Sequence, residues 1–491
     1  MTTTNSAVST TGVGQGAAPA ADTPHWAALP IVLVGTFLSG LDFFIVNVAI
    51  PSVQVDLHAT SAQIQLIIAG YALTYGVGMI TGGRLGDLYG RRRMFTMAMT
   101  LFTLSSAACG LAPNPGFLLG ARIVQGASAA MMVPQVLAIF STVYTGAARA
   151  KAINWYGLTL GIGAVLGQLI GGLLITANVF DLSWRTCFLI NLPIGLVTVL
   201  LAFKFVPESK APGKPRLDLV GVVLVTLALL AIVLPMIEGR QLGWPVWTWV
   251  SLAAALPLFV VFGFYQNHLR NGGGSPLIDL RLFRERAFTV GLVAQLVFWT
   301  GQASYFLVFA LYVQQGRGMD ALGAGLIFGA LGLGYCITAT TARLIALRMG
   351  RQVIALGGVL RIVGLVLQMI TVGAIGVTGN IAWMIPALFI DGAGMGLAVA
   401  PLASTVLARV SPQNAGSAAG VLTTGVQIGN ALGVSLIGLI FYNVVNHDGG
   451  AKTAYPHAFN YSMIYLLGVA LVLVLMVQLL PAKPKAAAVK K

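Results

Sequence analysis

Between residues 27 and 480 the chain alternates long apolar stretches with short polar loops, and this pattern restricts the fold more than any other feature. Most stretches reach roughly 18 residues, enough for a helix to cross a hydrocarbon core of about 30 Å. Strand-like alternation over ten-residue segments, the mark of a membrane barrel, is absent. Composition agrees, since 57% of the 491 residues are hydrophobic and 8% are charged, unlike any soluble globular chain of this size. The expected fold class is an all-α polytopic membrane protein.

Gly, Pro and charged residues punctuate the apolar runs into fourteen helices, at about 27–50, 62–85, 94–111, 116–143, 152–177, 185–206, 218–237, 246–267, 287–313, 321–341, 352–374, 380–407, 414–443 and 460–480. An even number puts both termini on one side. The formal charge of +15 suggests either nucleic acid or cytoplasmic loops rich in Lys and Arg, and placement decides between them. With a cytoplasmic N-terminus, the inside receives Arg84, Arg91, Arg92, Arg93, Arg149, Lys151, Lys204, Lys210, Lys214, Arg216, Arg270, Arg281, Arg284, Arg286, Arg343, Arg348, Arg351, Arg409 and the C-terminal lysines. The outside keeps only Arg185, Arg240, Arg317 and Lys452. The basic balance is therefore topology, and no nucleic-acid partner is expected. The chain is expected in the plasma or inner membrane of the cell, multi-pass, with both termini cytoplasmic and the lipid bilayer as its surroundings.

Residues 1–26 are mostly Ser, Thr, Ala and Gly, without the basic and short apolar regions of a signal peptide, and are expected to be a disordered cytoplasmic tail. Residues 481–491 form a basic cytoplasmic tail. Cys109, Cys187 and Cys336 are isolated, and the five histidines fall at helix ends or in loops without ligand-like spacing. No disulfide framework, metal site or cofactor is expected.

The segments "QGASAAMMVPQVLA" (Gln125 to Ala138) and "DGAGMGLAVAPLAS" (Asp391 to Ser404) share a small-residue start and a later proline, and enter the membrane in the same direction. They suggest two parallel six-helix halves, 27–206 and 287–480, with residues 207–286 supplying two inserted helices and their flanking loops. Glycines recur every four residues at Gly163, Gly167 and Gly171, and again at Gly425, Gly429 and Gly433. Such faces let helix backbones approach closely in lipid.

Of thirteen acidic residues, only Asp42 and Asp391 fall well inside predicted spans. Helical rise puts Asp42 roughly 13 Å from the helix end at Pro51, near the bilayer midplane. A charge there is costly, so such a carboxylate faces a cavity, pairs with a cation or takes up a proton. Desolvation favours the proton and an approaching cation displaces it, which makes an intramembrane acid a coupling element for an antiporter. Pairing with a buried arginine or with Asn47 is the structural alternative for Asp42. For Asp391, neutralisation by Arg361 is equally plausible, and Arg122 and Arg361 read as fixed structural or gating charges. At the end of the second helix stands "GGRLGDLYGRRR", in which Asp87 and Arg91 are four apart and can pair across one helical turn.

"LDFFIVNVAIP", "GGRLGDLYGRRR" and "RIVQGASAAMMVP" resemble three successive signatures of the major facilitator superfamily, and with the helix count they resemble its fourteen-helix drug:proton antiporter branch, EmrB- and QacA-like. The likeness spans residues 27–480. It implies the major facilitator fold and no enzyme activity. It implies that Gly83, Asp87, Gly90 and Arg91 form a cytoplasmic gating motif, that Arg122, followed by Gln125 and Gly126, takes part in proton transfer, and that Asp42 is a candidate for protonation. Asp391 matches no position of these signatures and stands as a second coupling candidate on its depth alone.

The helix-five antiporter signature of the branch normally ends in Gly-Pro, whereas this chain reads "GIGAVLGQLIGG", with Gly163, Gly167 and Gly171 present and Gln168 in place of the proline. Gln168 keeps a backbone bond that proline would remove, and adds a polar group that needs a partner. Phe43, Tyr71, Tyr75, Gln125, Met132, Trp299 and Tyr305, with Phe37, Phe44, Trp155, Tyr156, Phe309 and Met131, sit in the middle of spans. Such aromatic and Met side chains suit a cavity for lipophilic cations. The expected function is proton-driven export of lipophilic, cationic small molecules by alternating access, carried out by a monomer. The alternatives are a transporter of another coupling type, an exporter of an endogenous metabolite, and a non-transporting sensor.

Overall fold

Helix ends leave free N–H and C=O groups, and short polar residues satisfy them along this chain. Thr60 and Gln63 form a reciprocal capping box, and Asn114 accepts from Phe117 N just ahead of Pro115. Asp218 and Asp320 accept from Gly221 N and Gly323 N. His58 and Asn178 end their helices in left-handed backbone.

A computed structural model describes residues 26–210, 217–239, 242–278, 280–407 and 415–480. Residues 1–25, Lys214, Arg216, Arg240, Arg409 and the basic tail 481–491 lie outside the described residues, as does the side chain of Arg343. The helices are α1 Ala28–Leu57, α2 Ser61–Tyr89, α3 Arg91–Gly110, α4 Pro115–Val143, α5 Gly146–Ala177, α6 Thr186–Leu189, α7 Asn191–Phe205, α8 Leu219–Glu238, α9 Val246–Asn271, α10 Arg286–Leu311, α11 Ala321–Met349, α12 Gln352–Ile375, α13 Ile385–Leu407, α14 Ala415–His447 and α15 Ala454–Leu479. No strand occurs among the described residues.

Apart from the four-residue α6, these are fourteen long helices, close to the sequence expectation. Among the described residues twelve spans are long and apolar enough to cross a membrane, and α5 makes thirteen if its two parts, bent by 40°, are one span. α3 does not qualify, because it opens on three arginines and carries a run of hydroxyls. Thr96, Thr100, Thr103 and Ser105 bond back to carbonyls of α3 itself, so they cost little inside a packed bundle. The helix expected at 185–206 is one span of 23 residues, Ser183–Phe205, which opens with a 3-10 turn at Ser183–Arg185 and continues through α6 into α7.

Packing repeats along the chain. α1 lies on α5, α2 on α4, and α3 on α4 and α7; likewise α10 lies on α14, α11 on α13, and α12 on α13 and α15. Between these sets α8 and α9 pair with each other, and α8 also touches α2 and α14. The two sets meet along α2–α14 and α5–α11. Glycines make the repeated contacts close: a Cβ at Gly167 would stand 2.9 Å from Leu41 O, and one at Gly433 would stand 2.2 Å from Thr300 O. Gly163 and Gly171 face the α1 backbone in the same way, so the α5 glycines seat the stretch of α1 that carries Asp42.

Candidate functional site

Asp42 is fully buried where α1 passes α4 and α7, and every partner it has comes from another helix. Arg122 of α4 donates through Nη1 to Asp42 Oδ2 and, at 2.8 Å, to Gln125 Oε1. Gln125 Nε2 donates to Asp42 Oδ1 at 2.9 Å, and Asn191 Nδ2 donates to the same oxygen at 3.1 Å. Asn191 Nδ2 also donates to Ser106 Oγ on α3, and Cys109 lies 3.5 Å from Gln125 Oε1. The Arg122 guanidinium sits 4.1 Å from the Tyr71 ring centroid, and Tyr71 Oη donates to Ser39 O. Five helices of the first set, α1, α2, α3, α4 and α7, thus share one network around this carboxylate, α3 and α2 through Asn191 and Arg122. Its charge is tolerable there because it is paired and bonded on both oxygens.

The second acid is arranged with less support. Arg361 Nε on α12 donates to Asp391 Oδ1 at 2.9 Å, and Gln368 Nε2 lies 3.5 Å from Oδ2. Tyr305 Oη donates to Gln368 Oε1 at 2.8 Å, while Arg361 lies over the Phe298 ring. In the sequence repeat Asp391 stands where the first half has Gln125. Its amide partner Gln368 lies on α12, which packs on α13 as α3 packs on α4, so the second acid is held from a different helix than the first.

The predicted gating motif is mostly helix, since α2 runs to Tyr89 and breaks only at Gly90. Gly90 has a φ of 109°, a conformation that suits glycine, and a Cβ there would also meet Glu208 Oε1 at 2.7 Å. Across this break Arg91 Nη2 donates to Asp87 Oδ1 at 3.0 Å. Glu208 then accepts from Arg92 N and Arg93 N, capping α3. A Cβ at Gly83 would make only ordinary contact with Pro134, at 3.6 Å.

The other predicted side chains do not converge on one place. Tyr71, Gln125 and Tyr305 belong to the two ion-pair networks just described. Phe43 and Tyr75 pack on Tyr71, at 6.1 Å and 5.8 Å between centroids. Met132 is buried against Gly35, and Trp299 rests with its Cβ on Gly429 at the α10–α14 seam. Trp155 is 45% exposed on α5, apart from both networks. Depth in a span is legible from sequence, but the side of the helix a residue faces is not. Asn191, Ser106 and Gln368 were missed, although a lone amide in an apolar run needs a partner and so was itself a signal.

Gln168 is buried at the α5–α11 seam, where its carbonyl would lie 2.7 Å from a Cβ at Gly325. Among the described residues neither amide atom of its side chain has a hydrogen-bond partner. α5 bends just ahead of it, between Gly163 and Leu166, so the helix is bent without a proline. A buried amide left unpaired costs about 1–3 kcal/mol. Gln168→Leu, close in shape and apolar, is therefore expected to raise thermal stability in detergent by about that amount. A lower unfolding temperature would mean that the amide is paired in the folded protein.

Residues 32–434 and 293–490 match the Major Facilitator Superfamily. A probable actinorhodin transporter of Streptomyces coelicolor is 36% identical over 443 residues, spanning 89% of this chain and 76% of its own. The puromycin resistance protein pur8 of Streptomyces alboniger is 32% identical over 454 residues, spanning 91% and 86%. A bacterial homologue of the human lysosomal transporter Spinster, solved inward-facing and unoccupied, superposes with a TM-score of 0.68 at 14% identity over 94% of this chain and 98% of that one. That last likeness speaks for the fold alone.

Proposed function

The chain belongs to the major facilitator superfamily, a family of multi-pass membrane transporters rather than enzymes, and from that premise we propose that it is a proton-driven exporter of lipophilic small molecules. The observation that carries this reading is Asp42, a fully buried carboxylate whose bonds reach α4 and α7 and, through Arg122, the Tyr71 ring of α2. A proton on Asp42 removes one charge of the pair and leaves Arg122 in need of a new partner. The packing of α1 against α4 and α7 then has two arrangements, one for each protonation state. Two halves, 27–206 and 287–480, rocking about their common seam would turn these arrangements into inward and outward access. The repeated helix pairings support that division.

Relatives named for actinorhodin transport and puromycin resistance support a small organic cargo, an endogenous metabolite included. The aromatic neighbours of Asp42 support a lipophilic one. A cationic cargo is attracted to a carboxylate only while its arginine is displaced, which joins substrate charge to the proton cycle. Each pH unit supplies about 1.4 kcal/mol per proton, and 100 mV about 2.3 kcal/mol per charge. The place is the cell membrane, with both termini cytoplasmic and a monomer as the working unit. Gln168, standing where antiporters of the branch carry proline, favours proton symport as the second reading.

Everted membrane vesicles test the first reading. Antiport predicts that an interior-acid gradient drives a lipophilic dye inward, that adding the dye releases protons, and that a protonophore abolishes both. Dye entry driven by an interior-alkaline gradient would favour symport. Entry indifferent to either gradient would end the proton-coupled reading.

A further inference from the structure

The inserted pair α8–α9 is bonded into the bundle at one point that the transport reading does not use. Arg84 lies on α2 between the gating glycine Gly83 and Asp87, but takes no part in the Asp87–Arg91 pair. Its guanidinium reaches across to the segment after α9, where Nη1 donates to Ser275 O at 2.9 Å and Nη2 donates to Pro276 O. The next two residues are held from the other side. Leu277 N donates to Asp218 Oδ2 at 3.0 Å, and Ile278 N donates to Gln266 Oε1 at 3.0 Å. Gln266 Nε2 in turn donates to Asp218 Oδ2 at 2.6 Å, and Asp218 Oδ1 caps α8 through Gly221 N. Asp218 is 4% exposed and Gln266 1%. A Cβ at Gly221 would stand 2.2 Å from the Asp218 carboxylate, so the cluster closes only around glycine.

This segment leads into the second set of helices. Leu282 is buried in a separate apolar cluster with Phe288 of α10, Val406 of α13, and Ala418, Val421 and Leu422 of α14, with Ile80 of α2 and Ile278 packed against it. Residues 275–278 and 280–282 are thus a strap across the α2–α14 seam, at the end that the charge bias assigns to the cytoplasm. Arg84 pins one side of the strap to α2, and Leu282 sinks the other into the second half. Two adjacent carbonyls are matched by the guanidinium fork, which a lysine ammonium cannot reproduce.

We propose that Arg84 is a positioning residue of the transport cycle, which acts through this strap to hold the cytoplasmic ends of α2 and α14 together and makes the inserted pair part of the gate. The proposal rests on the alternating-access reading. Opening toward the cytoplasm requires the strap to leave either α2 or the Leu282 cluster, and Arg84 sets the resistance on the α2 side. Without it the cytoplasm-open state gains population. Since affinity from that side scales with the binding-competent fraction, the apparent KM for efflux falls, while return through the outward-open state slows and lowers the maximal rate.

The test places a reporter, Ile80→Cys, in the full chain and measures its reaction with a membrane-impermeant maleimide in everted vesicles, with the chain lacking the reporter as background. Arg84→Ala is expected to raise labelling about tenfold, the effect of about 1.4 kcal/mol on a two-state equilibrium, and Arg84→Lys to give an intermediate value. Asp218→Asn, which retains an oxygen to cap α8, loosens the same strap from its other end. It should give a similar rise, and the double variant should give no more than the larger single effect. Unchanged labelling in Arg84→Ala and Arg84→Lys, or full additivity in the double variant, would overturn the proposal. Labelling needs neither cargo nor gradient, so it separates failure of the strap from failure of the transport reading, which the dye assay detects.

Discussion

Asp42→Asn is expected to reduce gradient-driven transport to background and to destabilise the protein, and the two losses separate in a double variant. The asparagine keeps one acceptor but turns an N–H donor toward Arg122 or Gln125, where the carboxylate accepted from both. Arg122 is then a fully buried cation without a counter-charge, a situation that costs about 3–5 kcal/mol when one partner of a buried pair is removed. Adding Arg122→Gln removes that cation and is expected to restore most of the thermal stability. Transport should remain absent, because no group is left to carry the proton. Substrate-dependent proton release, measured beside unfolding temperature, checks both halves of this expectation. Wild-type proton release by the double variant would remove Asp42 from the coupling role.

Gly126→Val is expected to abolish folded protein in the membrane, with a loss of about 3 kcal/mol or more from overpacking. A Cβ at this position would lie 2.4 Å from Tyr71 O and 2.3 Å from Thr74 Oγ1, and a backbone carbonyl cannot swing aside. α2 and α4 would have to part, carrying the Tyr71 ring away from Arg122. Gly120 is the control on the same helix, since nothing lies within 4 Å of a Cβ there. Gly120→Val should therefore express and transport like the parent chain. Equal expression of the two variants would refute close α2–α4 packing as the requirement.

The contrast between these two glycines shows what a sequence carries. Both lie in one apolar helix six residues apart, and although Gly126 opens a small-residue run, hydropathy and depth do not say which of the two meets another backbone. Their difference arises from α2, which crosses α4 at one glycine and not at the other. Asp42 and Asp391 are similarly alike in depth, each a single acid within an apolar span. In the folded chain Asp42 has three side-chain partners from two helices, whereas Asp391 has two, both on α12. The segment Gly82–Arg93 was readable as a motif but not as structure, because its helical course to Tyr89 depends on packing against α4 as well as on local propensity.

The sequence by itself determined the membrane class, the run of fourteen long helices within a residue or several at their ends, the small-residue faces and the two acids that need an explanation. These follow from hydrophobicity, length and depth, all of which are one-dimensional properties of a chain in lipid. Only the tertiary structure decided which arginine neutralises which acid, that Asn191 completes the Asp42 site, that Gln168 has no partner among the described residues, and that Arg84 reaches the strap after α9. A residue's depth follows from counting along the helix, but the side it faces and the partner it meets there are set when helices distant in sequence pack together.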